Sequence, residues 1–190
     1  MLCAILISLS LLASAWAGED LPEFLKPGKC ADVAVQKDFD LSRYGGRWYH
    51  TEVIDNPYMP YVKCINSVYD ISGDGFDVTT DGVDSNDEHQ EMQGKIYSTD
   101  AFQKAHMQVD FPDVIGSPFK VIETDYESYS CVYSCLDWSS YKTEFGFVFS
   151  RSPQNSGIAT KKCAEVFKRN GVDVGKFMTI PQSSKCDYRS

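Results

Sequence analysis

Asp40-Leu41-Ser42-Arg43-Tyr44-Gly45-Gly46-Arg47-Trp48-Tyr49 is the stretch from which the chain is best read. A short segment over 40–44 meets two glycines, which let the backbone turn sharply, and enters a strand whose first large residue is Trp48. Downstream, strand candidates recur over 47–54, 63–71, 75–82, 91–99, 106–111, 119–124, 129–136 and 143–151. Turn clusters separate them, such as Ser72-Gly73-Asp74-Gly75, Asp84-Ser85-Asn86-Asp87 and Gly116-Ser117-Pro118. Eight short strands at even spacing with no helix between them favour an all-β fold, either an up-and-down barrel or a sandwich. An eight-stranded barrel has an interior that side chains fill or one small ligand occupies. Trp48 is the candidate plug of its closed end. Arg151, at the end of the last strand, is placed to lie over the Trp48 ring, a contact worth about 0.5–2 kcal/mol.

After Arg151 the pattern changes. Ile158, Cys163, Val166 and Phe167 stand among lysines over 158–170, with Gly171 as a stop, which predicts one amphipathic helix laid on the outside. The tail over 172–190 reads as extended, tied down by Cys186. No repeat or linker divides the chain, so residues 18–190 are expected to form one domain. Residues 1–17 are an uncharged apolar run closing on Ala15-Trp16-Ala17, ahead of the acidic Glu19 and Asp20. This is the pattern of a secretory signal peptide cleaved after Ala17, and it is too short for a membrane span. The protein is therefore expected to be secreted.

The net charge of −9, with no basic stripe against it, argues against nucleic acid and membrane surfaces as partners. Of seven cysteines, Cys3 leaves with the signal peptide. The remaining Cys30, Cys64, Cys131, Cys135, Cys163 and Cys186 argue for three disulfides in an exported chain. Cys131 and Cys135 lie four apart in a strand, about 13 Å between Cα atoms, too far to bridge. That leaves twelve of the fifteen pairings. No metal site is expected: there is no Cys-x-x-Cys, and the histidines stand far from the cysteines. The acidic run over 81–91 fails as a calcium loop, because His89 holds the sixth position from Asp84, where glycine is required.

In the order Gly46-x-Trp48-Tyr49, Thr124-Asp125-Tyr126 and Arg151, followed by a helix, the chain resembles the lipocalins. The resemblance implies an eight-stranded antiparallel up-and-down barrel, closed at the Trp48 end and open at the other, with one C-terminal α-helix packed outside. Gly46, Trp48, Thr124, Asp125, Tyr126 and Arg151 are its structural signature. Several stretches also look like the crustacyanins, the carotenoid-binding lipocalins of crustacean shell pigment, with spacings nearer the A-type subunit. They are Pro27-Gly28-Lys29-Cys30-Ala31, Phe39-Asp40-Leu41-Ser42-Arg43-Tyr44, Glu123-Thr124-Asp125-Tyr126-Glu127-Ser128-Tyr129-Ser130-Cys131-Val132-Tyr133-Ser134-Cys135, and Phe145-Gly146-Phe147-Val148-Phe149-Ser150-Arg151. From that likeness follow the pairs Cys30–Cys135, Cys64–Cys186 and Cys131–Cys163. Cys163 lies on the outer helix, so Cys131 and Cys135 point outward, and Val132 and Ser134 point inward.

The resemblance further implies a non-covalent carotenoid such as astaxanthin as cargo, its end ring held in the barrel mouth. Tyr58, Ser67, Tyr69, Thr80 and His106 match positions that line this site, with Tyr97 a further addition and Met59 a departure from the relatives' glutamine. Simple alternation, however, sets His106 with Gln108 and Asp110, opposite Met107, Val109 and Phe111. His50 shares the parity of Trp48 and is expected at the pocket floor or in a structural hydrogen bond. A carotenoid is longer than one small barrel, so a second lipocalin subunit meeting the first mouth to mouth is the expected partner. The apolar loop Tyr58-Met59-Pro60-Tyr61-Val62 is suited to the contact. An enzyme is not expected, since every mature cysteine is assigned to a disulfide and no Ser-His-acid order or His-x-x-x-His pair occurs. A bilin, a retinoid or another small lipid is the alternative cargo, because apolar pockets discriminate poorly among ligands of similar shape.

Overall fold

A computed structural model describes residues 22–55, 57–99, 104–154 and 157–189. The expected signal peptide lies outside the described residues. The chain forms a short edge strand, β1 (Lys26–Pro27), and a single helical turn, α1 (Leu41–Tyr44), before the barrel begins. Asp40 caps that turn, its carboxylate accepting from the backbone N–H groups of Ser42 and Arg43. Gly46 takes φ +87°, a conformation that L side chains resist, and the chain turns there into β2.

The barrel strands are β2 (Gly46–Ile54), β3 (Lys63–Ser72), β4 (Gly75–Val83), β5 (His89–Ser98), β6 (His106–Asp110), β7 (Pro118–Thr124), β8 (Tyr129–Trp138) and β9 (Tyr141–Ser150). Each pairs antiparallel with the next, and β9 returns to pair with β2. The sheet is thus an up-and-down antiparallel barrel, the closed alternative to a sandwich. Its edges carry β1 against β9, and β10 (Phe177–Thr179) against β2. All eight expected strands are present, with ends shifted by at most two residues; β8 and β9 pair on to the Trp138–Tyr141 turn.

Outside the barrel lies α2 (Ile158–Arg169), ending at Asn170 with Gly171 at φ +72°. Its buried face is Ala159, Cys163, Val166 and Phe167. Ile158, expected on that face, is exposed at 52%; Ala159 takes its place because it stands four, seven and eight residues before the other three, the spacing of one helical stripe. This face packs on Val33, Ile54, Ile122, Cys131, Tyr133 and Val148 outside the barrel. Three disulfides bind the periphery: Cys131–Cys163 holds α2, Cys30–Cys135 holds the N-terminal segment and Cys64–Cys186 holds the tail. They are the pairs that the sequence resemblance implies. No helix among the described residues is long and apolar enough to cross a membrane.

Candidate functional site

One end of the barrel is sealed by packed rings. Trp48 is fully buried and contacts Tyr44 and Phe149, while Tyr44 meets Phe39, Tyr69 and Phe76. Below them Arg151 lays its guanidinium 3.7 Å from the centroid of the Trp48 ring. Its nitrogens also donate to the carbonyls of Arg47 (2.7 Å), Gly45 (2.9 Å), Tyr44 (3.0 Å), Tyr126 (3.0 Å) and Arg43 (3.2 Å). The carbonyls of Arg43, Tyr44 and Gly45 stand at the end of α1, where helix acceptors are left over, so one planar cation gathers a cluster of acceptors. The β7–β8 turn completes the seal. Thr124 Oγ1 donates to Tyr129 O and accepts from Tyr126 N–H. Burial works against the Asp125 carboxylate, yet its acceptor bonds from Ser128 Oγ and from the N–H groups of Ser128, Tyr129 and Glu127 hold its pKa below the usual range.

Toward the other end the lumen opens. The cavity measures about 120 Å³, and about 750 Å³ with its open mouth included. Phe145, Phe147 and Phe149 of β9 form one wall, by the two-residue period of a strand, and Met59, Val78, Met92, Ile96, Val109, Phe111, Val114 and Phe119 supply the other apolar lining. The polar lining groups are His50, Tyr58, Tyr61, Ser67, Tyr69, Thr80, Ser117 and Ser134. Among the described residues, no Asp, Glu, Lys or Arg lines it. His50 Nε2 is 2.8 Å from Ser67 Oγ, which is 2.7 Å from Thr80 Oγ1, giving a row across β2, β3 and β4. Burial alone pulls the His50 imidazole down to about 3, so it is neutral at physiological pH. The same desolvation pushes the Tyr69 hydroxyl far above its ordinary pKa. A separate hollow beside the mouth carries the charged Glu23, Lys26, Asp55, Lys142, Glu144 and Lys176 among the apolar Phe24, Ile54, Pro57 and Phe145.

Tyr58, Ser67, Tyr69, Thr80 and His50, all singled out in the sequence, come together around this lumen. Tyr97 and His106 do not. In β5 the inward positions include Met92 and Ile96; Tyr97 has the opposite parity and is 40% exposed. His106 opens β6 at the sealed end, opposite Lys120 and with Val109 and Phe111 facing the other way into the lumen. The alternation of β6 outweighs the positional match. The loop after β2 is mixed: Tyr58 and Met59 line the mouth, Tyr61 is buried and donates to Thr80 O, and Val62 is exposed at 47%. Val114 and Ser117, from the β6–β7 loop, were not expected at the site. Periodicity is silent in a loop, so nothing in the sequence marked them.

The sequence model of the Lipocalin / cytosolic fatty-acid binding protein family matches residues 45–184. The crustacyanin-C1 and crustacyanin-A1 subunits of Homarus gammarus are each 33% identical over 176 residues, 90% of this chain and 97% of each relative. The two match equally, so identity does not separate A-type from C-type. Apolipoprotein D of Mus musculus is 27% identical over 164 residues, covering 85% of this chain and 86% of that protein. Among solved structures, lobster apocrustacyanin A1 superposes with a TM-score of 0.79 at 32% identity, over 87% of this chain and 95% of that one.

Proposed function

The chain belongs to the lipocalin family, and on that premise we propose that it is a secreted carotenoid carrier that holds the end ring of astaxanthin or a related pigment without a covalent bond. The family is one of binding proteins, not enzymes, and all six cysteines beyond the first are joined in disulfides, which leaves no thiolate nucleophile among them. One observation carries the reading: the lumen is open at one end, lined by aromatic and aliphatic side chains, and carries no charged residue among those described. Such a bore suits an apolar polyene, with a few placed polar groups for a ring oxygen. Tyr58, Ser67, Tyr69, Thr80 and His50 are the residues we assign to that ring. Tyr97 and His106 are left out by their placement.

The enclosed space takes an end ring, and the rest of a long polyene must project from the mouth. A second lipocalin subunit set against the mouth, where Val62 and Trp138 are exposed, is the proposed cover. The three disulfides suit an oxidising compartment, and cleavage after Ala17 is proposed; the N-terminal sequence of the exported product tests it. The visible spectrum of the protein incubated separately with astaxanthin and with biliverdin tests the cargo. A shifted carotenoid band with no bilin complex is expected; a bilin complex alone refutes the assignment. The modest enclosed volume favours one second reading, a smaller lipid or retinoid wholly inside the barrel, and a retinol complex that excludes astaxanthin would select it.

A further inference from the structure

Two polar atoms in the lumen wall, His50 Nδ1 and Ser134 Oγ, are buried with no hydrogen-bond partner among the described residues. Their side chains are 4% and 2% exposed, and both residues line the cavity. Buried polar atoms are paired in the great majority of cases, because leaving one unpaired forfeits its bonds to water. These two flank the aromatic wall of β9: His50 stands opposite Phe149 on the β2 side, and Ser134 opposite Phe145 on the β8 side. A flat apolar group lying on that wall has one on each side.

The chemistry they accept follows from the row behind His50. A neutral imidazole carries one hydrogen, and the hydroxyls of Ser67 and Thr80 rotate. With the hydrogen on Nε2, the ring donates to Ser67 and presents a bare lone pair at Nδ1, which accepts from an alcohol. With the hydrogen on Nδ1, Ser67 donates to Nε2 and the ring donates to a carbonyl oxygen. Ser134 Oγ serves either oxygen as well. Neither group answers a full negative charge. Among the described residues no cationic side chain lines the lumen, and the burial that depresses the His50 pKa to about 3 keeps it uncharged. A carboxylate brought here loses its hydration without gaining a counter-ion.

We propose that Ser134 and His50 are two oxygen-binding points for a neutral head group, an alcohol, aldehyde or ketone, and that the lumen rejects the corresponding carboxylate. This rests on the carrier reading above and narrows its ligand class. The test is a fluorescence titration of the exported protein at pH 7.5 with retinol, with retinoic acid and with the hydrocarbon of the same polyene that lacks oxygen. Retinol should bind at least about a hundredfold more tightly than retinoic acid, the penalty of an uncompensated buried charge. Ser134→Ala should weaken retinol by roughly tenfold, one hydrogen bond's worth, and leave the hydrocarbon unchanged. The same variant deletes an unpaired hydroxyl, so the melting temperature of the unliganded protein should be unchanged or higher, which separates lost binding from lost folding. Acid within tenfold of alcohol, or retinol affinity unmoved by Ser134→Ala, overturns the inference while the carrier reading stands. Failure of all three polyenes and of astaxanthin to bind removes both.

Discussion

Replacing Arg151 by methionine tests the sealed end most directly. The side chain keeps an unbranched apolar stem, but loses the charge, the donors and the planar face that lies 3.7 Å from the Trp48 ring. Two contributions set the cost. The cation–π contact is partly desolvated, since Arg151 is half-buried over a fully buried ring, and is worth about 1 kcal/mol. The donor bonds run to the carbonyls of Tyr126, Arg43, Tyr44, Gly45 and Arg47. Some of these acceptors gain water once the side chain is gone, and Tyr44 O keeps its bond from Trp48 Nε1 at 2.9 Å. Counting one to two of them as stranded at ~1.5–2 kcal/mol each gives about 1.5–4 kcal/mol. The sum is ~2.5–5 kcal/mol, or a fall in melting temperature of about 5–20 °C for a domain of this size. Arg151→Lys keeps the charge but offers three donors without the planar fork, and should lose about half as much. A double-mutant cycle with Trp48→Leu, read by urea unfolding with disulfides intact, should return a coupling of about 0.5–2 kcal/mol. A loss below about 1 kcal/mol for Arg151→Met, or zero coupling to Trp48, would refute the account of the closed end.

Three further outcomes follow from other parts of the fold. Replacing Cys131 and Cys163 together by alanine opens a loop of sequence separation 32 and should cost about 3.5–4 kcal/mol by loop entropy in urea unfolding; a loss near zero would show that packing alone holds α2. Unfolded His50 titrates near 6.5, and its folded value is depressed to about 3, so the unfolded state binds the extra proton between those limits. Its stabilising contribution is whole above pH 6.5 and is lost as pH falls toward 3, by up to roughly 4–5 kcal/mol; unfolding of the wild type and His50→Asn at pH 7 and pH 4 should show a shallower pH dependence in the variant, and parallel profiles would contradict a neutral, buried ring. A Cβ on Gly94 would fall 2.3 Å from Phe111 Cγ, so Gly94→Ala must displace a ring that lines the mouth, costing about 1–3 kcal/mol and lowering retinol affinity; unaltered affinity would place the ligand away from Phe111.

The strands and the helix were legible because their signals are periodic and local. Alternation in Phe145, Phe147 and Phe149, and the stripe of Cys163, Val166 and Phe167, carry over unchanged into wall and outer helix. Trp48 and Arg151 stand more than a hundred residues apart, and their meeting was expected only because a closed sheet brings the first and last strands together. The lumen was legible in part. Alternation by itself puts His106 on the outside of β6, and the sheet obeys it over the positional match. Loop residues such as Val114 and Ser117 have no period to betray them. The unpaired state of Ser134 Oγ and His50 Nδ1 depends on what every neighbouring strand presents, which no single segment encodes.

The barrel divides its interior along its axis. The sealed half concentrates the large rings, Tyr44, Trp48, Phe76 and Phe149 being almost wholly buried, together with the Arg151 and Asp125 bond clusters that pin the turns there. That half supplies rigidity and needs no ligand. The mouth half retains empty volume and unpaired polar atoms, both of which cost stability in the unliganded protein. A ligand that fills the volume and meets those atoms recovers the loss, so binding energy is concentrated where the fold is least complete. Stabilisation by a cognate ligand should then protect the backbone of β8 and the mouth end of β9 from hydrogen exchange more than β2 around Trp48, whose protection is already near the global limit. Equal protection at both ends would mean that the ligand stabilises the barrel only as a whole, and that the mouth is no weaker than the floor.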